Sequence, residues 1–191
     1  MKKIIAFMLA AAMILSMAGC GSSKDKNTDA KEFASAEVLL TEIHETFKEN
    51  EQFPIGGGDP ENVTMDKPGK FDVTMVEDME AMLGLPKEQA ANIDDAATMV
   101  HLMNANTFTA AAYHLKKDVD VNEFTEALKT NILAKQWLCG MPDQLFIMDG
   151  GDGYVLAAFG EEQIMEMFKT HSLEVLGKDN MLVEEQITEN F

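Results

Sequence analysis

The chain has 191 residues, with 33 Asp and Glu against 15 Lys and no Arg, so its formal net charge is −18 at pH 7. This acidity argues against nucleic acid as a partner and against a polybasic contact with anionic lipid, because both depend on basic side chains. The lack of arginine in the sequence excludes a bidentate guanidinium clamp for phosphate or carboxylate.

Residues 1–19 have the three parts of an export signal. Lys2 and Lys3 give a positive start, residues 4–18 are uncharged and mostly apolar, and small residues precede Cys20. The apolar stretch is shorter than the roughly 20 residues that a membrane-spanning helix needs. Cleavage after residue 19 would leave 172 residues, a length that suits one domain with a hydrophobic core.

The stretch Leu15-Ser16-Met17-Ala18-Gly19-Cys20 resembles the lipobox of bacterial lipoproteins. The resemblance implies transfer of a diacylglyceryl group to the Cys20 thiol, cleavage before it, and often acylation of its new amino terminus, with a fatty acid such as palmitate. Two or more acyl chains give stable membrane anchoring. We expect a lipid anchor on the extracytoplasmic face of the cell membrane. A plain secretory signal and an uncleaved helical anchor are the alternatives.

Residues 20–33 are predicted to be a flexible tether, because the stretch after Cys20 is polar and has no apolar periodicity. About 12 residues of such coil span roughly 20 Å root-mean-square, which lifts a domain clear of the lipid head groups. A single domain is predicted over residues 34–177. The acidic tail, residues 178–191, has no structure assigned from its pattern.

The domain is predicted to begin with a helix over residues 34–49. Apolar residues recur there at helical spacing, namely Ala36, Leu39, Leu40, Ile43 and Phe47. Residues 50–72 are predicted to be a loop, because proline and glycine are dense in this stretch.

Two short helices are predicted next. Thr74 and Glu77 have the spacing of a capping box, which opens a helix that closes at Gly84. Pro86 favours the start of another helix that runs to about residue 92.

From residue 98 the pattern changes to strands. Residues 98–103 and 107–115 are predicted to form a hairpin around Asn104–Asn106. Asp120 and Glu123 then have the spacing to cap a helix that stops near residue 140. A second hairpin is predicted from residues 144–148 and 154–159, followed by a helix with Ile164, Met167, Phe168 and His171 on one side.

These elements predict an α+β fold. Two sequential hairpins in the order ββαββα form a four-stranded antiparallel sheet, with the helices packed on one face and the N-terminal helices adding to the same layer.

Residues 36–173 resemble small lipoproteins of Gram-positive anaerobes that carry a domain of unknown function. The resemblance depends on Phe53-Pro54-Ile55-Gly56, Met82-Leu83-Gly84-Leu85-Pro86, the strand 108–113, the helix 121–136 and Gly153-Tyr154-Val155-Leu156. Many members have a tyrosine-glycine pair where this chain has Leu83-Gly84. The resemblance implies a lipoprotein and brings no activity or catalytic residue.

The glycine-rich turn at residues 149–153 has two interpretations. Asp149 and Asp152 could contribute oxygen ligands to a cation such as calcium, although no third acid falls inside the turn. Glycine and aspartate also serve hairpin turns, through positive φ and local hydrogen bonds.

The four histidines, His44, His101, His114 and His171, are expected to be isolated. A three-residue turn in the first hairpin puts His101 opposite Thr109, with His114 on the other face. A two-residue turn puts both histidines on one face but far apart. Cys139 is interpreted as a small buried hydrophobe or, alternatively, a reactive thiol.

The loop that begins Phe53-Pro54-Ile55 is apolar and long enough to be functional. It is predicted either to contact a partner or to pack over the sheet edge. The sequence has no phosphate loop, no G-x-S-x-G and no H-E-x-x-H. We therefore expect a non-enzymatic module without a cofactor that binds an envelope protein or peptide. The alternatives are a small-ligand or cation-binding lipoprotein and, third, an enzyme.

Overall fold

A computed structural model describes residues 32–103, 107–137 and 140–188. The predicted signal peptide with Cys20, the turn Asn104–Asn106 and Cys139 lie outside these residues.

The described residues contain four α-helices and eight β-strands. The helices are α1 (Ala36–His44), α2 (Val76–Asp78), α3 (Val121–Ala134) and α4 (Glu162–Leu176). The strands are β1 (Ile55–Gly57), β2 (Thr64–Met65), β3 (Gly69–Lys70), β4 (Ile93–His101), β5 (Phe108–Leu115), β6 (Gln144–Gly151), β7 (Tyr154–Gly160) and β8 (Met181–Gln186). Short 3-10 turns cover Glu49–Glu51, Lys87–Asn92 and Lys178–Asn180, and a π-helical turn covers Met79–Leu83.

All eight strands belong to one antiparallel sheet in the order β2-β1-β4-β5-β7-β6-β8, with β3 pairing with β4 beside β1. The mixed helix and sheet class and the antiparallel sheet are confirmed, and both predicted hairpins are present, as β4–β5 and β6–β7. The prediction of four strands is wrong. The predicted loop, residues 50–72, supplies β1, β2 and β3, and the unassigned tail supplies β8.

The prediction that the helices share one face of the sheet is also wrong. All seven residues of β7 are buried, so both of its faces need an apolar cover. Successive side chains alternate between the two faces. Helices α1 and α4 pack on one side with Leu156 and Ala158, and α3 packs on the other with Val155, Ala157 and Phe159.

The boundaries of the longer helices follow from local hydrogen bonds. Helix α3 begins as predicted, because the Asp120 carboxylate accepts from the backbone N–H groups of Asn122 and Glu123, at 2.8 and 3.0 Å. Helix α1 begins after Ser35, whose hydroxyl oxygen accepts from the Val38 N–H. It ends at His44, five residues earlier than predicted.

The capping box predicted at Thr74 and Glu77 is not formed. The Thr74 N–H and hydroxyl both donate to Asp72 Oδ1, each at 2.8 Å. Thr74 therefore belongs to a turn organised by Asp72, and α2 begins two residues later, at Val76. The π-helical turn that follows ends at Gly84, as predicted for the helix, with φ of 69°.

The first hairpin has a register one residue away from the three-residue-turn expectation. Val100, rather than His101, lies opposite Thr109, and Asp95 lies opposite His114. His101 and His114 therefore share the α1/α4 face of the sheet. They lie near opposite ends of the hairpin, about 20 Å apart at roughly 3.4 Å per residue.

A buried threonine joins the segment after β1 to the sheet. The Thr98 hydroxyl donates to the Gly58 carbonyl at 2.8 Å, and its oxygen accepts from the Gly58 N–H at 2.9 Å. Thr98 is only 1% exposed, so water cannot replace these bonds without local opening. Gly57 lies against Gly69 so closely that a Cβ on Gly57 would be 2.1 Å from the Gly69 N.

We expect Thr98→Val to lower the free energy of unfolding by about 2–4 kcal/mol, because it leaves two buried backbone groups of Gly58 without a partner. Thr98→Ser keeps the hydroxyl, so its free energy of unfolding should fall much less. Urea unfolding of the wild type and both variants measures the difference. Equal losses for valine and serine would mean that the hydroxyl is not what stabilises this corner.

Candidate functional site

The predicted cation site at Asp149 and Asp152 lies in the β6–β7 turn. Asp149 Oδ1 accepts from the Gly151 N–H at 2.8 Å, and Asp152 has φ of 48° between two glycines that also have positive φ. The β6–β7 register shifts between Asp149 and Gly151. The described residues contain no group of three or more His, Cys, Asp or Glu side chains that could hold a metal ion. The hydrogen bonds and φ values are those of a hairpin turn.

The histidines have separate surroundings. His114 Nδ1 lies 2.5 Å from Asp94 Oδ1, and its ring packs on Tyr154 with centroids 4.7 Å apart. His44 packs edge-on against Phe47 at 5.1 Å. Burial lowers the pKa of His44, against the raising effect of a hydrogen bond with Gln52.

His171 is almost fully buried, at 4% exposure, and joins α4 to the segment after α1. Its Nδ1 lies 2.8 Å from the Thr46 hydroxyl oxygen, and its Nε2 lies 3.0 Å from Glu51 Oε2. The Thr46 hydroxyl donates to the Ile43 carbonyl at 2.6 Å. The ring is therefore held between the Thr46 hydroxyl and the Glu51 carboxylate, both of which belong to the segment after α1.

Glu51 is held by its neighbours in the same turn. A hydrogen bond from the Lys48 backbone N–H lowers the pKa of Glu51 to about 2, and the side chains of Lys48 and His171 act in the same direction. Glu51 and His171 thus fix the segment that leads into Phe53 and β1.

A polar pocket of about 240 Å³ lies at the start of α3. It is lined by Gln89, Asn92, Asp118, Val119, Asp120 and Glu123. Asp120 Oδ1 already caps the helix, and the pocket is smaller and more polar than typical small-molecule sites.

The predicted contact segment Phe53-Pro54-Ile55 divides between core and surface. Ile55 is 1% exposed and belongs to the core beneath α1 and α4. Phe53 packs against that core and stacks on His101, with ring centroids 5.0 Å apart and planes at 10°. Pro54 is exposed, so only this residue of the three offers its side chain fully to a partner.

Exposed apolar side chains gather next to this segment. Val63, Met65, Leu102 and Met103, which we call the apolar patch, are 57%, 59%, 40% and 54% exposed. They are four of the five large apolar side chains exposed in the described residues; the fifth, Leu182, lies in β8 at the opposite edge of the sheet.

Gly56 forms the floor of the apolar patch. It lies opposite Met65 in β2 and Val100 in β4. A Cβ on Gly56 would be 2.7 Å from Leu102 Cδ2 and 3.7 Å from Val63 Cγ1, so both side chains lie over the glycine. Ile55 points towards α1 and α4, and this part of the patch therefore opens on the α3 side of the sheet.

The described chain begins at the opposite end of the sheet. The Phe33 ring packs edge-on against Tyr154 at 6.0 Å, and the Ala36 N–H donates to Asp95 Oδ2 at 2.8 Å. Burial, followed by the charges of Asp95, Asp152 and Asp94, raises the pKa of Tyr154. Strand β4 separates this acidic end from the apolar patch by about 20 Å.

Comparison with known proteins finds no match to a family model, a curated protein or a solved structure. No helix in the described residues has the length and apolar character needed to cross a membrane.

We expect the free energy of unfolding to fall between about pH 5 and pH 3 less steeply in Glu51→Gln than in the wild type. The pKa of Glu51 is lower in the folded chain than its ordinary 4.5, so its contribution is present above about pH 4.5 and is lost as the pH falls towards 2. Denaturant unfolding at several pH values measures the slope. Glu49→Gln, in the same turn, is the control, and a wild-type slope in Glu51→Gln would contradict the assignment.

Proposed function

We propose that this protein is a lipid-anchored, non-enzymatic module on the extracytoplasmic face of the cell membrane, and that it binds another envelope protein or peptide through the apolar patch. The lipobox-like stretch ending at Cys20 supports the anchor. The observation that carries the binding role is the concentration of four exposed apolar side chains at one corner of the sheet.

Scattered apolar residues are normal on protein surfaces, whereas a contiguous group marks a contact surface. Met65 and Met103 are flexible and polarisable, which suits a surface that adapts to another polypeptide. A second copy of this chain is a poor occupant, because the full chain carries a net charge of −18, and removal of Lys2 and Lys3 with residues 1–19 would make it −20. An apolar segment of a different protein, bordered by neutral or basic residues, fits the apolar patch and the charge.

The position of the apolar patch supports an arrangement in which the patch faces away from the membrane. The chain enters the domain beside Tyr154 and Asp95, and the apolar patch lies at the other end of β4. A lipid anchor at Cys20 with a coil of about 12 residues would hold the entry end nearest the membrane.

Photo-crosslinking in intact cells that export the chain tests the binding role. A photoreactive residue at position 65 should capture a defined protein, and the same residue at position 182 should not. Leu102→Asp in the same chain should abolish that capture, because a charge in the apolar patch opposes burial of apolar surface. Leu182→Asp, with an identical change of charge, is the matched control.

Capture of the same proteins from positions 65 and 182, or capture that survives Leu102→Asp, would show that the apolar patch is not the contact surface. Thermal unfolding of both aspartate variants checks that the fold is intact.

The anchor has a separate test. Cys20→Ser should abolish labelling by a fatty-acid analogue and release the protein from the membrane fraction, because the thiol is the expected acceptor of lipid. Cys139→Ser should leave both unchanged. Membrane retention of Cys20→Ser without labelling would mean that residues 4–18 act as a helical anchor instead.

A further inference from the structure

Two backbone hydrogen bonds hold the β4 end of the apolar patch. The Leu102 N–H donates to the Pro54 carbonyl at 3.0 Å. The Met103 N–H donates to Nδ1 of His101 at 2.9 Å. The first bond joins two backbone groups whose protonation does not change in the physiological range, whereas the second depends on a titratable ring.

The direction of the bond between Met103 and His101 determines which nitrogen of the His101 ring carries hydrogen. Nδ1 of His101 accepts a hydrogen bond, so it carries a lone pair and the ring is neutral, with its hydrogen on Nε2. Protonation adds a hydrogen to Nδ1. Two N–H groups would then face each other, and the bond to Met103 could not persist.

We propose that His101 is a pH-sensitive latch for the apolar patch: the neutral ring holds the Met103 backbone in place, and the protonated ring releases it. This inference rests on the proposed function for the significance of the patch, because an extracytoplasmic domain is exposed to the pH of its surroundings. The latch itself is a property of the isolated chain.

The surroundings of His101 favour the neutral ring. Phe53 covers one face of the ring, and Phe108 packs edge-on against Phe53 at 5.5 Å. Burial lowers the pKa of His101, whereas the negative charge of Glu161, at the start of α4, acts in the opposite direction.

The lowered pKa of His101 determines how the hydrogen bond to Met103 depends on pH. The pKa of His101 is lower in the folded chain than in an unfolded one, so the bond to Met103 is fully present above about pH 6.5. The bond is lost as the pH falls through the pKa that His101 has in the folded chain. The Met103 end of the apolar patch is therefore held at neutral pH and released in acid, while the Leu102–Pro54 bond persists.

His101→Asn separates the hydrogen bond from the titration. The asparagine side-chain oxygen can occupy the position of Nδ1 and accept from the Met103 N–H, but it does not titrate. His114→Asn is the matched control, because His114 is paired with Asp94 near the other end of the hairpin.

The experiment is a nitrogen-15 NMR titration of residues 20–191 carrying Cys20→Ser, from about pH 7.5 to pH 5. We expect the His101 ring to carry its hydrogen on Nε2 at the upper pH. The protection factor of the Met103 amide against hydrogen exchange, which corrects for the intrinsic exchange rate, should fall about tenfold. The midpoint of this fall should coincide with the midpoint of the His101 ring titration. His101→Asn should remove this transition, and His114→Asn should retain it.

A hydrogen on Nδ1 of His101 at neutral pH, or a Met103 amide that does not follow the His101 titration, would overturn the latch. A transition that persists in His101→Asn would do the same. These measurements involve no partner, so their outcome is independent of the crosslinking test. If position 65 captures a partner but the Met103 amide is insensitive to pH, the binding role stands and the latch is wrong.

Discussion

The complete burial of β7 is the constraint on which the rest of the structure depends. A strand that is apolar on both faces cannot lie in a sheet with one face in water, because every second side chain would then be exposed. Helices α1 and α4 cover one face and α3 the other. Alanines in β5 and β7, including the opposed pairs Ala110–Ala158 and Ala111–Ala157, leave room near the middle of the sheet for larger helix side chains.

The corner of the sheet formed by β1, β2 and β3 is stabilised in a different way. Strands β1, β2 and β3 have two or three residues each, too few to be stable by themselves. The close approach of Gly57 to Gly69 and the paired bonds of Thr98 to Gly58 hold them against β4. Apolar side chains that stay grouped in water at one corner of a sheet are typical of a contact surface.

The aromatic residues between α1 and β1 connect this corner to the core. Phe47 lies between His171 and Phe53, with ring centroids 5.0 and 6.2 Å away, and Phe53 in turn stacks on His101. His171 is therefore held between Thr46 and Glu51 inside the core, whereas His101 accepts a hydrogen bond at the surface. The segment is therefore fixed at its inner end by His171, and at its outer end it meets His101, whose acceptor nitrogen can take up a proton.

The sequence by itself determined the features that depend on near neighbours: the cap of α3 at Asp120, the two central hairpins and the lipobox-like stretch before Cys20. It also predicted a partner contact at Phe53, Pro54 and Ile55, but it could not tell that Ile55 points into the core. Only the tertiary structure decided that β1, β3 and β8 become strands, because their pairing partners in β4 and β6 lie far away in sequence. The apolar patch depends on the same pairing, which brings Val63 and Leu102 together over Gly56, opposite Met65. No local sequence pattern predicts this contact, because it depends on the register of β4 and on the space that Gly56 leaves by having no side chain.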